Sequence, residues 1–155
     1  MISLYTPKLE ELVFRQDLLA DEQTMSYNAK WGGTLEFPKE RWQDWYNRWI
    51  ACPTDGRIYA YLYSSQEKEF VGEVACHFDE DSSRWLTDVI VHSRFRKKGY
   101  GTQGLQLLCE RCRQAGIKTL YDNIARDNPS VIMFLNNGFE KAEETEDVIL
   151  VKKDL

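Results

Sequence analysis

The stretch Val89–Gly104, VIVHSRFRKKGYGTQG, carries the strongest chemical signal in the chain. An apolar run ends at Val91, and Arg94, Arg96, Lys97 and Lys98 follow. Gly99 and Gly101 then lead into a helical pattern. Glycines let successive backbone N–H groups converge on one anion with no Cβ in the way. A helix N-terminus at this point adds free N–H donors and the positive end of its dipole. The basic side chains supply full charges, and Thr102 can add a hydroxyl. Together these features describe a phosphate cradle. A solvated basic loop with a Gly turn is the plainer alternative and stays open on these residues alone.

Read literally, Gly99–Gly104 is also GxGxxG, with Asp122 lying 18 residues beyond the last Gly. That pattern could mark a dinucleotide turn. Three features oppose it. The first Gly lies eight positions after Val91 instead of directly after a strand. A dinucleotide turn needs no basic run. The roughly 50 residues that follow are too few for a doubly wound sheet.

The elements that must position this loop follow from periodicity. Leu9, Leu12, Val13, Leu18 and Leu19 have the spacing of one helix face. Gly32-Gly33 makes a turn, and Pro38 suits the first position of a helix running to about Ile50. Trp42, Trp45 and Trp49 would form one aromatic stripe on it. Arg57–Ser64, Phe70–Phe78 and Trp85–Val91 alternate and are rich in β-branched and aromatic residues, so they predict three strands. A helix over about Thr102–Gln114 ends at Gly116. Thr119–Ile124 predicts a fourth strand. Asp127-Asn128-Pro129 starts a short helix that Asn137-Gly138 stops, and Phe139–Glu144 and Asp147–Val151 predict two more strands. The order implies an α/β (α+β) fold with helices packed on a mixed sheet and one right-handed β-α-β crossover.

Composition bounds the function. The 155 residues suit one domain over 1–155, and 43% hydrophobic with 29% charged residues describes a globular chain. A net charge of −5 argues against nucleic acid and against a polybasic membrane surface as partners. Yet residues 92–98 hold four basic groups and no acid, leaving 16 basic against 25 acidic groups elsewhere. That division suits an anion site on an acidic body. The N-terminal residues lack a signal-peptide pattern and no apolar run approaches a membrane span, so a cytoplasmic location is expected. Of the four cysteines, Cys109 and Cys112 form one CxxC within a predicted helix, beside Leu105 and Leu108. Without a second pair this predicts reduced core thiols, with no metal.

RKKGYG resembles the R/Q-x-x-G-x-G/A signature of the GNAT superfamily of acetyl-CoA-dependent N-acetyltransferases. VIVHSRFRKKGYGTQGLQLL is similar to that family's strand, pyrophosphate loop and helix. DNPSVIMFLNNGF, about 30 residues on, is similar to its second cofactor segment. The resemblance covers Trp85–Phe139 closely and the rest in architecture. It implies a mostly antiparallel sheet of six to seven strands with a central splay, flanked by about four helices. It further implies acetyl-CoA as co-substrate, with the pantetheine arm along Val89, Ile90 and Val91. The pyrophosphate would sit on the amides of Arg96, Lys97, Lys98, Gly99, Tyr100, Gly101 and Thr102. Asn128, Ser130 and Phe134 would flank the cofactor's other side. Two departures stand out. Asp127 occupies a position that is often Asn, and Phe134 replaces a Tyr that serves many members as general acid, which leaves water or another hydroxyl such as Tyr121.

Acetyl transfer to an amine needs a base for the ammonium proton, a donor to the thioester carbonyl and good alignment. Asp122 is the first candidate base. Glu73, within an apolar strand, is either solvent-facing or a buried functional acid. Asp88 and His92 are weaker candidates. Tyr27 and Trp31 suit an aromatic lid over a flat or cationic amine, which could be a small molecule or a protein, and Trp31 as a cap on the core is the plainer alternative. The acceptor is not specified by the sequence, nor is acetyl against a longer acyl group. Homodimers are common among similar proteins. A non-catalytic acyl-CoA-binding or regulatory module is the alternative that Phe134 keeps open.

Overall fold

A computed structural model describes every residue, Met1–Leu155. The strands are β1 (Ile2–Tyr5), β2 (Ile58–Ser64), β3 (Glu69–Asp79), β4 (Arg84–Val91), β5 (Thr119–Ala125), β6 (Glu140–Glu144) and β7 (Val148–Asp154). They form one seven-stranded sheet in the order β1-β2-β3-β4-β5-β7-β6. Every neighbouring pair is antiparallel except β4 and β5, which run parallel. A parallel pair needs a crossover, and α3 (Tyr100–Gln114) supplies it. The other α-helices are α1 (Leu12–Ala20), α2 (Trp42–Tyr46) and α4 (Ser130–Asn136). This is the mixed, mostly antiparallel sheet with about four helices that the family resemblance implies.

Alternation along the strands sends side chains to two separate cores. Under α3 and α4 lie Leu62, Val74, Leu105, Leu108, Leu120 and Val151, all fully buried. Under α1 and α2 lie Leu12, Trp42, Trp45, Tyr59, Tyr61 and Ala75. Cys76, Cys109 and Cys112 belong to the first core, and no cysteine is bonded to another. Burial pushes the Cys109 thiol up to about 11. The CxxC is therefore packed interior, and no group of three His, Cys, Asp or Glu side chains could hold a metal. No helix is long and apolar enough to cross a membrane.

Three details differ from the sequence pattern. The chain opens with β1, not a helix: Ile2 and Leu4 alternate over too few residues to signal a strand, and pairing with β2 creates it. Val13 lies off the apolar face of α1 and is 49% exposed. The helix expected from Pro38 is three pieces. Pro38 precedes a 3-10 turn, Lys39–Arg41, and α2 then passes into a π-turn, Asn47–Ala51. This wider turn keeps Trp49 stacked on Trp45 at 5.9 Å while Trp49 also meets Tyr59 edge-on at 6.2 Å. The tryptophan stripe is core packing, with Trp49 half-buried at its rim.

Candidate active site

Strands β4 and β5 pair only through Trp85 with Leu120 and Leu86 with Tyr121. Beyond those residues they diverge, and the opening is the splay. In an antiparallel ladder, residues alternate between bonding their partner and facing away. The His92 N–H bonds the Val71 carbonyl on β3 at 2.8 Å. Counting back along the register, Ile90 and Asp88 also bond β3. The N–H and C=O groups of Val89 and Val91 therefore face the splay. A cleft of about 570 Å³ fills it, walled by β4, β5, the loop before α3, the start of α4 and the segment Thr24–Trp31.

The loop that enters α3 is shaped by its backbone. Gly99 takes the left-handed conformation at φ +82°, where a Cβ would be strained. Lys97 adopts the same region at φ +64° without being glycine. The Arg96 N–H bonds the Ser93 carbonyl, and the Gln103 N–H bonds the Gly99 carbonyl. Between them, the amides of Lys97, Lys98, Gly99, Tyr100, Gly101 and Thr102 donate to no protein acceptor. These free N–H groups coincide with the positive end of a 15-residue helix.

The basic side chains divide in a way their order does not reveal. Lys97 lines the cleft and makes no ion pair. Lys98 does not line it, because its ammonium pairs with Glu67 at 2.7 Å. Arg94 pairs with Glu69 at 2.7 Å. Arg96 lines the cleft, but its guanidinium donates to the carbonyls of Gln23 and Thr24. Tyr100 turns its ring into the core and donates its hydroxyl to Glu67 at 3.0 Å.

Across the cleft, Asn128 and Ser130 line the wall, and the Asn128 side-chain oxygen accepts from the Ser130 N–H at 2.9 Å. That bond caps α4. Phe134 lines the same wall and packs against Phe139 with ring centroids 4.9 Å apart. Tyr27 and Trp31 line the mouth and are 39% and 47% exposed.

The carboxylates separate. Asp88 and Asp122 both line the cleft, just past the last paired residues of β4 and β5. Water reaches Asp88 and, less freely, Asp122 through the mouth. Protein nonetheless surrounds both, and this enclosure raises their carboxyl pKa values. For Asp122, burial and then the charge of Asp88 lift it well above the ordinary range, against a hydrogen bond from Thr87 at 3.3 Å. For Asp88, burial and then Glu73 lift it, against His77 and Arg15. Glu73 does not line the cleft. It is 3% exposed, accepts a short hydrogen bond from Tyr59, and lies 3.7 Å from the Arg15 guanidinium. Arg15 in turn lies over the rings of Phe37 and Trp45 at 4.7 and 4.5 Å. Glu73 is thus the counter-ion of a buried arginine.

Two further side chains fall outside the proton-transfer candidates. Tyr121 lies outside the cleft, under Arg84 at 5.1 Å. The Nδ1 of His92 accepts from the Arg94 N–H at 3.3 Å, and its Nε2 lies 3.9 Å from Asp21, so this ring braces the loop. Sequence reasoning did not single out Asn28, Thr24 or Asn123, which also line the cleft. The one available signal was Asp21-x-x-Thr24, a capping pattern at the end of α1.

The diverging parallel pair, the free amides at the start of α3 and the flanking α4 frame one cleft with anion-binding donors at its edge. The model of the acetyltransferase (GNAT) family matches residues 15–139, and the chain belongs to that family. No curated protein sequence matches it. Among solved structures, the spermidine N-acetyltransferase of Vibrio cholerae, in complex with CoA and spermine, is similar at 17% identity. It superposes with a TM-score of 0.79 over 99% of this chain and 95% of that one. A GNAT-family acetyltransferase from Streptococcus pneumoniae is 15% identical, with a TM-score of 0.79 over 100% of both chains. A phosphinothricin acetyltransferase of Sinorhizobium meliloti, in complex with AcCoA, is 14% identical, with a TM-score of 0.78 over 99% of this chain and 88% of that one. At these identities the likeness is one of fold.

Proposed function

We propose that residues 1–155 act as one acetyl-CoA-dependent N-acetyltransferase domain, moving an acetyl group to a primary amine of a small molecule or a protein. The observation that carries this is the run of six free amides, Lys97–Thr102, at the start of α3 and the edge of the splay. Consecutive N–H groups without protein acceptors suit a pyrophosphate, and Lys97 adds the nearest uncommitted charge. Bound acetyl-CoA would supply an activated thioester. Val89 and Val91 offer outward N–H and C=O groups to an extended arm, as an edge strand does. That similar structures hold CoA or AcCoA supports the same ligand here.

Asp122 and Asp88 at the apex suit the acceptor amine. Two carboxylates in one cleft, Asp88 open to solvent and Asp122 half-buried, attract an ammonium, and a raised pKa makes a stronger base for its proton. Asp122 is the proposed base, with Asp88 as its electrostatic partner. Glu73 is left with a structural task. Phe134 offers no proton and Tyr121 lies elsewhere, so a departing thiolate takes its proton from water. Tyr27 and Trp31 flank the mouth and suit an acceptor with a flat or cationic body.

Calorimetry with acetyl-CoA, CoA and NAD(H) tests the ligand. Sub-millimolar binding of the first two, and none of NAD(H), is expected; no binding of acetyl-CoA would sink the proposal. Thiol release from acetyl-CoA across polyamines, small amines and peptide N-termini tests the reaction. Binding without turnover on any amine class would favour the acyl-CoA-binding module that Phe134 suggests.

A further inference from the structure

We propose that Arg96 is a positioning residue that locks the segment Thr24–Trp31 onto the loop entering α3, so that two walls of the cleft move as one body. The inference rests on the acetyltransferase reading only for what fills the cleft.

Thr24–Trp31 is a 3-10 segment of eight residues. Runs of that geometry beyond three or four residues are poorly self-supporting, because their hydrogen bonds are strained. Its aromatic side chains do not anchor it, since Tyr27 and Trp31 are exposed. Only Thr24 and Met25 are buried. The segment is held instead by Asp21 just before it and by the loop entering α3, about 70 positions away in sequence. Asp21 Oδ2 accepts from the Thr24 N–H at 2.9 Å, from the Thr24 hydroxyl at 2.5 Å and from the Ser93 hydroxyl at 2.9 Å. Thr24 Oγ1 accepts from the Ser93 N–H at 2.9 Å. Arg96 completes the latch. Its Nη1 donates to the Gln23 carbonyl at 3.2 Å and its Nη2 to the Thr24 carbonyl at 2.5 Å, while the guanidinium lies 5.4 Å over the Tyr27 ring.

This geometry needs arginine. A planar fork can span two consecutive carbonyls and stack on a ring at once, whereas an ammonium is a point charge. Arg96 directly precedes the six free amides. Whatever orders those amides also fixes the residue that holds the aromatic wall, and by reciprocity a ligand on that wall steadies the amides. The guanidinium nitrogens that bond Gln23 and Thr24 are engaged with the lid, which leaves Lys97 as the cation presented to an anion.

Hydrogen exchange on the free protein, followed residue by residue, tests the latch without any ligand. The readout is the amides of Met25, Ser26, Gly32 and Gly33, which bond within or beside the segment. Leu105 and Leu108 in α3 serve as core references. Arg96→Lys keeps the charge and removes the fork. Thr24→Val removes the hydroxyl from the other end of the latch. Each is expected to speed exchange at the four segment amides by about tenfold or more while the core references stay unchanged. Calorimetry with CoA on Arg96→Lys should show a change below about threefold, because the side chain is committed to the Gln23 and Thr24 carbonyls and Lys97 faces the anion. With an amine acceptor in hand, its KM should rise while kcat holds. Unchanged exchange in both variants would overturn the latch. So would an Arg96→Lys variant that loses CoA affinity about tenfold with no change in segment exchange, which would return Arg96 to the phosphate. If Arg96→Lys also loosens the core references, Thr24→Val decides. Failure of acetyl-CoA to bind the wild type would overturn the function while leaving the exchange result to stand on its own.

Discussion

Replacing Gly72 with alanine should damage both the sheet and the cleft, through backbone that cannot step aside. Gly72 sits on β3 beside a bulge, where the register against β2 shifts between Leu62 and Tyr63. A Cβ there would lie 2.2 Å from the Ile90 carbonyl oxygen, 3.1 Å from its carbon and 3.0 Å from Val91 Cα, all main-chain atoms of β4. Reaching even a 3.0 Å contact requires β4 to retreat by about 0.8 Å. The neighbouring bond from His92 N–H to the Val71 carbonyl starts at 2.8 Å, so that retreat takes it past good geometry. Losing about two ladder bonds at roughly 1 kcal/mol each, plus residual strain, amounts to about 3 kcal/mol. For a chain of this length that is a fall in Tm of about 6–12 °C. The displaced residues include Val91, whose outward groups face the splay, so CoA affinity should also fall about tenfold, or about 1.4 kcal/mol. Gly101→Ala is the control for stability alone, because Gly101 belongs to the amide cradle. Its Cβ would meet the flexible Met133 Sδ at 3.0 Å, so it should cost less than about 1 kcal/mol. Thermal unfolding and calorimetry measure both. A Gly72→Ala protein within about 2 °C of wild type and with full CoA affinity would refute the reasoning.

Further outcomes follow from the same geometry. Lys97→Glu should weaken CoA by at least about tenfold at low salt and less at high salt, while Lys98→Glu, already paired with Glu67, should do far less; equal losses in calorimetry would put Lys98 in the anion site. Asp122 has a folded pKa raised above its unfolded value. Its contribution to stability is therefore fully present below the unfolded carboxyl range, near pH 4, and lost as pH rises through the raised value. Asp122→Asn should thus melt higher than wild type at pH 7–8, converge with it near pH 4, and lose turnover more than acetyl-CoA affinity; a lower Tm at pH 8 contradicts this. Glu73→Gln leaves the Arg15 charge buried without its counter-ion and should cost about 3 kcal/mol in urea unfolding. A stable but inactive Glu73→Gln enzyme would instead restore Glu73 as a catalytic candidate.

The elements from Arg57 onward, the glycine loop before α3 and the wall at α4 were all legible in the amino-acid order. These are local signals: period-2 alternation, a glycine pair after a basic run, Asn128-Pro129 before a short helix. They need no knowledge of what lies across the fold. Their spacing also sufficed for the family resemblance, which residues 15–139 bear out. The short β1 was illegible because four residues become a strand only by pairing with β2. Only the assembled fold sets which charges are free and which carboxylates share the cleft. Lys98 and Arg94 are neutralised by Glu67 and Glu69 from the end of the β2–β3 hairpin, and Arg96 is claimed by carbonyls more than 70 residues away. Glu73 and Asp88 both sit on strands in sequence. Register puts Glu73 and Asp88 on one face of the sheet, Glu73 against Arg15 and Asp88 further along toward the splay, where its charge reaches Asp122. Charge and proton affinity depend on neighbours within a few ångströms, and those neighbours are assembled by the sheet, not by the chain order.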